Sequence, residues 1–471
     1  MNTKFYITLV VIFIISGCGQ SLDKNSYRQI SEGPIIGAEG ENDTYVWKGI
    51  PFAEPPLGEL RWKAPKNPSS WVDTLEASTF KSGCFQRSST FGEDGDNDWS
   101  GSEDCLYLNV WTPKLMPMEI NESKQLPVMM WIHGGGNTVG SAHMYDPSLL
   151  VSEHNVIVVT IQYRMGSLGW FRHPALHDSD ASLSDISGNY GTLDTIKALE
   201  WINKNIQSFG GNPDNVTVFG ESAGAHNASA IFASPLAEGL YDKVIIQSGI
   251  MSSSSIDASE AYLPEDGIAP SISGLEVFNQ ILIAKGEAIN LEEARTKQEN
   301  MTPEQIRSTL YNQNPDVLIQ ATNDARPKRG GMTRVYPDGH VILSGGIEES
   351  LVNGALSRVP MITGTNKDEN KWRSPLGVPP CINDTRSSKG LRGTMASSAI
   401  MPGSNSNRKN FNITPQGDCL ANSYPAIKNR GNVMQPTSRA LFKPCNSLTN
   451  NNGININDVA SDVWWSNKSW K

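Results

Sequence analysis

Apolar residues in this chain gather in short unbroken runs, and between those runs they recur at helical spacing. Six runs read as β-strands, at 106–110, 128–132, 156–162, 216–219, 244–247 and 360–363. Several are apolar throughout, as central parallel strands covered on both faces must be. Residues 192–209 instead place Leu193, Ile196, Leu199, Trp201, Ile202 and Ile206 at helical intervals, and Gly210-Gly211-Asn212-Pro213 supplies the stop. Residues 275–320 read as further helices, with Glu292, Glu293, Lys297 and Glu304 on a solvated face. Strands alternating with helices up to residue 370 predict an α/β fold with a mostly parallel, doubly wound sheet, in one domain spanning 29–370.

The pattern changes at residue 371. Residues 371–471 hold 13 Lys and Arg, four Asp, 15 Asn, no Glu and no His, with little sustained apolar periodicity. Two expectations stay open for this tail: a divergent or disordered C-terminal region, or a segment read out of frame from a once-longer gene. Under either, the sheet is expected to be truncated or altered on its C-terminal side.

The first residues form a different kind of pattern. Lys4 precedes an apolar run at 5–15 that is too short to span a bilayer as a mature helix. The run ends in Ile15-Ser16-Gly17-Cys18, which resembles the lipobox of bacterial lipoproteins. That resemblance implies removal of residues 1–17, lipidation of Cys18 and a polar tether over 18–28 on a bacterial membrane, facing the periplasm or the cell surface. An ordinary secretory signal is the other reading, and both export the chain. Export permits disulfides, and Cys84 and Cys105 enclose a polar loop that an exported protein is expected to bridge. Such a closure stabilises by about 3 kcal/mol in the chain-entropy model. Cys381, Cys419 and Cys445 all fall in the tail, an odd number that leaves one without an intrachain partner. The net charge of −10 lacks the basic footprint that nucleic-acid binding needs.

Two glycine-rich segments carry the chemistry. Gly220-Glu221-Ser222-Ala223-Gly224 follows the strand at 216–219 and opens a stretch of small residues that reads as a helix start. A serine between glycines at a strand-to-helix turn is a nucleophile elbow, with its hydroxyl presented over a helix N-terminus. His133-Gly134-Gly135-Gly136 follows the strand at 128–132, and a glycine run there lets backbone N–H groups face one point, as an oxyanion hole requires. His133 reads as a structural residue of that loop.

Residues 49–370 resemble the type-B carboxylesterase family, which also contains the cholinesterases. The matching stretches are Gly49-Ile50-Pro51-Phe52-Ala53-Glu54-Pro55-Pro56, Leu60-Arg61-Trp62, the segment at 102–110, the His133 glycine run, Phe209-Gly210-Gly211-Asn212-Pro213, the elbow, and Gly364-Thr365-Asn366-Lys367-Asp368-Glu369. The resemblance implies an α/β-hydrolase fold and hydrolysis of small-molecule carboxylic esters through an acyl-enzyme, with neither metal nor organic cofactor. Carried over by position, Ser222 is the nucleophile, and Gly135, Gly136 and Ala223 form the oxyanion hole. Glu369 is the triad acid, with Asp368 beside it as the rival. It also implies a disulfide between Cys84 and Cys105 and a buried salt bridge between Arg61 and Glu103. Glu221 is the usual acidic neighbour of the nucleophile, and Asn137 stands where many relatives carry an apolar residue, which makes the acyl pocket more polar.

The third triad member is the open question. The hydrolase order is Ser, acid, then His, and no His follows His340 in these residues. His226, in the elbow helix, reads as packing against the sheet, and His340 as an exposed loop residue. His143, His154, His173 and His177 precede the nucleophile with only loop or surface signals. The 471-residue chain is therefore expected to be inactive or severely impaired unless a His comes from elsewhere. The alternative is a non-catalytic binding or adhesion protein on the same fold, and a peptidase using the same elbow is a third candidate.

Overall fold

The computed structural model describes residues 22–366, apart from 91, 93–97, 123–124, 178, 250, 329–332 and 354–358. Cys18 and the leader, Asp368, Glu369, and the whole tail with Cys381, Cys419 and Cys445 lie outside the described residues.

Eight strands form the main sheet: β1 Ala38–Glu39, β2 Thr44–Pro51, β3 Tyr107–Pro113, β4 Leu126–Ile132, β5 Ile157–Ile161, β6 Gly211–Glu221, β7 Lys243–Gln247 and β8 Met361–Gly364. Their spatial order is β8-β7-β6-β4-β5-β3-β2-β1. Neighbours from β8 to β5 run parallel, and those from β5 to β1 antiparallel. All six strands expected from the sequence are present. The antiparallel pair β1 and β2 was not expected: Gly49 interrupts β2, and the register of β2 on β3 shifts between Trp47 and Ile50, which breaks the apolar run that marks a strand. The Gly210-Gly211-Asn212-Pro213 stop also needs correction at one end. Gly210, at φ +85°, closes the helix, whereas Gly211 already pairs with Leu126 as the first residue of β6.

Among the helices of the described residues are α1 Tyr190–Asn205, α2 Ala223–Phe232, α3 Gly274–Ala284, α4 Leu291–Glu299, α5 Pro303–Tyr311 and α6 Pro315–Asp324. Side chains from β4, β5 and β6 and from α1 and α2, including Val128, Ile132, Val159, Val218, Ile196 and Ala228, share the main core. Both faces of β4 are buried, which is why its run carries no polar alternation. A second core joins Trp62, Leu168 and Phe171 to Val277, Phe278, Ile281 and Leu318 of the α3 and α6 layer. Glu292, Glu293 and Glu304 are exposed as expected, while Lys297 is half-buried and paired with Glu287.

One buried ion pair fixes how α1 meets the sheet. Beyond the end of β5, Arg164 donates through Nε and Nη2 to the two carboxylate oxygens of Asp194 on α1, at 2.8 and 2.7 Å. The Arg164 backbone N–H adds a third bond to the same carboxylate at 3.0 Å. Both side chains are almost wholly shielded from solvent. A lone guanidinium left there is costly, because burial strips its hydration without a compensating charge. Asp194→Ala is therefore expected to destabilise by about 3–5 kcal/mol in urea unfolding; a loss below about 1 kcal/mol would show that this pair does not anchor α1.

Candidate active site

The strand order reverses at β4, whose sheet neighbours β5 and β6 both follow it in the chain. In a doubly wound sheet the crevice at such a point, at the carboxyl ends of the strands, is where ligands bind. Strand β4 ends at Ile132 and the parallel β6 at Glu221. The two glycine-rich segments singled out in the sequence therefore leave the same rim of the sheet side by side.

Ser222 joins β6 to α2 with φ 54° and ψ −117°, a conformation that L residues rarely adopt and that costs about 1–3 kcal/mol. Two bonds hold it there. Its N–H donates to the Gln247 carbonyl at the end of β7 at 2.9 Å, and its carbonyl accepts the His226 N–H at 3.0 Å. The flanking glycines are required by close approach: a Cβ on Gly220 would lie 2.5 Å from the Gly224 carbonyl, and one on Gly224 only 2.0 Å from the Ile132 oxygen. The hydroxyl does not cap α2 and has no hydrogen-bond partner among the described residues.

The glycine run lies directly against this turn. A Cβ on Gly134 would sit 3.4 Å from the Ser222 Cβ and 2.9 Å from the Glu221 carboxylate. Gly135 (φ +107°) and Gly136 (φ +67°) then turn back, with Thr138 and Val139 N–H both donating to the Gly135 carbonyl at 3.1 Å. Among the described residues the N–H groups of Gly135, Gly136 and Ala223 donate to no protein acceptor. Unused donors beside a serine, one of them in the first turn of a helix, suit an anion developing on a carbonyl oxygen.

Tyr163, Asn227 and Gln86, not singled out in the sequence, hold this loop through His133, Asn137 and Gly140. His133 is fully buried, with Nδ1 2.9 Å from the Gly134 oxygen, and it stacks on Tyr163, whose hydroxyl donates to the His133 carbonyl at 2.7 Å. Asn137, buried and left-handed at φ 58°, exchanges side-chain amide contacts with Asn227 of α2 at 2.9 and 3.4 Å. Its amide also donates to the Thr333 carbonyl at 3.3 Å. Gln86 clamps the end of the loop, accepting from the Gly140 N–H and donating to the Gly140 carbonyl at 2.8 and 2.9 Å. Gln86 also donates to the carbonyl of Cys84 at 3.0 Å, and Cys84 is bridged to Cys105 with Cα atoms 4.9 Å apart. Arg61 and Glu103 form a bidentate pair, and Arg61 also donates to the Gln313 carbonyl. Glu221 is exposed. Burial, then its negative charge, push the nearby Tyr145 hydroxyl up to about 12.

The histidines divide differently from their sequence readings. His226 is buried on α2, as expected. His340 is half-buried rather than exposed, with Nε2 2.9 Å from the Ser184 hydroxyl. His173 is also no surface residue: it packs on Phe278, accepts from the Ala175 N–H, and burial pushes it down to about 4. His177 lies against Arg172 and Glu260, and His143 stacks on Phe80. No imidazole is hydrogen-bonded to the Ser222 hydroxyl among the described residues.

Comparisons with known proteins bear on the family and the fold. The model of the carboxylesterase family matches residues 24–411, wider at both ends than the stretch at 49–370. Para-nitrobenzyl esterase of Bacillus subtilis is 36% identical over 331 residues, covering 70% of this chain and 60% of that protein. Fumonisin B1 esterase of Sphingopyxis macrogoltabida is 33% identical over 359 residues, covering 75% and 58%. Among solved structures, a PNB esterase superposes with TM-score 0.56 at 31% identity, over 78% of this chain and 68% of its own. A Geobacillus stearothermophilus carboxylesterase gives 0.58 at 32% identity, over 74% and 63%. The chain thus spans about three fifths of the length of the curated relatives it matches.

The glycines separate by what surrounds them. Gly224→Ala, with backbone 2.0 Å from the new methyl, is expected to cost about 3 kcal/mol or to abolish soluble expression. Gly136→Ala meets only the Thr138 hydroxyl at 3.6 Å and carries just the left-handed strain, about 1–2 kcal/mol. Equal stability of the two variants in chemical denaturation would contradict the close-approach argument.

Proposed function

The chain belongs to the carboxylesterase family and has the α/β-hydrolase fold, and from that premise we propose that it descends from a serine esterase acting through Ser222. The observation that carries the reading is the strained Ser222 turn against a glycine loop with unused N–H donors. In this mechanism the Ser222 oxygen attacks the ester carbonyl, and the N–H groups of Gly135, Gly136 and Ala223 stabilise the tetrahedral oxyanion. The alcohol then leaves, and water hydrolyses the acyl-enzyme. Glu369 is the proposed acid of the triad, with Asp368 as its rival.

The proton from Ser222 needs a base, and without one the hydroxyl is a neutral, poor nucleophile. In a triad protease, loss of the His lowers kcat by about 10⁶-fold, while about 10³–10⁴-fold over water survives from the oxyanion hole and binding. We therefore propose that the 471-residue chain by itself is a severely impaired esterase. Hydrolysis of a short-chain aryl ester by the purified chain, with Ser222→Ala as control, tests this. The expected outcome is slow turnover that is weakly sensitive to the substitution. Near-normal turnover lost in Ser222→Ala would overturn the impairment and leave the esterase reading standing, whereas stable folding with tight ligand binding and no turnover would favour a binding protein.

We also propose export and lipid anchoring through Cys18, supported by the Lys4 and 5–15 pattern and by the Cys84–Cys105 bridge. Expressed in a bacterium, the chain is expected in the membrane fraction, and Cys18→Ala is expected to move it to the soluble fraction. An unchanged distribution would remove the anchor.

A further inference from the structure

The amino ends of the parallel strands carry apolar side chains that the proposed active site does not use. The Leu126 N–H donates to the Gly210 carbonyl at 2.8 Å, which ties the start of β4 to the start of β6. A Cβ on Gly210 would lie 2.9 Å from the Leu115 side chain and 3.8 Å from that of Ile120, so the segment around them packs at this end. Arg28 joins the N-terminal segment to the same place: its guanidinium donates to the carbonyls of Asn25, Tyr27 and Leu115, each at 2.8 Å. The Ser208 hydroxyl adds a bond to the Gln29 carbonyl at 2.7 Å. Ser222 follows the other end of β6. From Leu126 to Ile132 of β4, steps of about 3.3 Å per residue put about 20 Å of sheet between the two ends.

Three large side chains at this end are turned to solvent: Met118 is 75% exposed, Tyr27 43% and Met116 42%. The methionines flank the first residue of the short helix Pro117–Glu122, and Glu119 fixes that start by accepting the Met116 N–H at 2.7 Å. Unbranched methionines adapt to an irregular apolar partner, and a tyrosine suits a boundary with one apolar and one wet side. The tether says which partner is at hand. Leu22 bridges to Ala38 and the Asp23 N–H bonds the Gly37 carbonyl, so the chain is held to the fold from Leu22 onward. Cys18 precedes Leu22 by so few residues that the reach between them is at most about 14 Å. A lipidated Cys18 therefore keeps Leu22 within that distance of the bilayer, and at such an effective concentration even a weak apolar contact is occupied.

We propose that Tyr27, Met116 and Met118 form a membrane-docking face, seated on the bilayer that holds Cys18, so that the Ser222 rim opens away from the membrane and takes its ester from water. The anchor supplies proximity and the three side chains supply orientation. The proposal rests on the lipid anchoring at Cys18 and takes only the word ester from the esterase reading. Its test needs no turnover.

Photo-cross-linking in the full chain, expressed in a bacterium and collected with the membranes, tests it. The photoreactive residue p-benzoylphenylalanine is placed at Met118 and, in a separate chain, at Met144. Met144 is the control, because it too is exposed, at 39%, but lies beyond the glycine run at the carboxyl end of β4. Phospholipid adducts, read by the mass of the purified chain, are expected from position 118 and absent from position 144. Position 27 reads the same face again should the variant at 118 not accumulate. Lipid adducts from 144 as strong as those from 118, or a membrane-bound chain with none from 118 or 27, would overturn the docking face and leave the anchor standing. A cross-linked species of twice the chain's mass in place of lipid adducts would assign the face to a second copy and also overturn it. A parent chain found in the soluble fraction would remove the anchor and the docking face together, and hydrolysis of an aryl ester reports on the esterase reading alone.

Discussion

Everything at this rim depends on how tightly the Ser222 turn is pressed against the end of β4. Gly220 and Gly224 have backbone from Gly224 and Ile132 within the radius that a methyl group would need. That contact leaves one way for the chain to pass from β6 to α2, with Ser222 forced to a positive φ. The strain is carried by the sheet, because the Ser222 N–H is held by Gln247, which itself lies in register with Glu221 across β6 and β7. A hydroxyl displayed in this manner is a product of sheet geometry as much as of the five residues around it.

The same dependence extends outward through the glycine loop. Its conformation leaves amide donors unused, which is stable only if the rest of the loop is fixed by other means. Three attachments do this from different parts of the chain: Tyr163 on the His133 carbonyl, Asn227 on Asn137, and Gln86 on Gly140. The Asn137–Asn227 contact joins the loop to the helix that begins at Ser222, so the donors and the nucleophile are held to one another as well as to the sheet. The Cys84–Cys105 bridge lies one step further out, since Gln86 also donates to the Cys84 carbonyl. A loss in any of these would be felt as misplaced donors before it was felt as unfolding.

Local signals carried much of this. Apolar runs marked the buried strands, and glycines marked the two turns because only glycine tolerates the close approaches found there. What stayed hidden was pairing over long separations. Arg164 and Asp194, or Asn137 and Asn227, look like ordinary polar residues until the fold brings them together. Burial was hidden for the same reason: His173 precedes a proline in what reads as a loop, yet the α3 layer covers it. Strand β2 escaped because its lysine, glycine and proline mask a segment that is nonetheless mostly buried. Glu369 and Asp368 lie outside the described residues, so their placement beside the elbow rests on the sequence.

Stabilising an oxyanion and activating a nucleophile are separable tasks, and the unused N–H donors of the described rim bear on the first. Backbone N–H donors fixed by packing cost no reorganisation when charge develops, and they need no titrating partner. Activation needs a base within hydrogen-bond reach of the serine, and none of the described histidines is bonded there. In the mechanism proposed above, these donors serve the oxyanion and the proton transfer falls to a separate base. The donors are set by the β4 and β6 ends, so supplying an imidazole to the Ser222 hydroxyl would not require the loop to be rebuilt. Glycine loop, elbow and sheet thus form one mechanical unit.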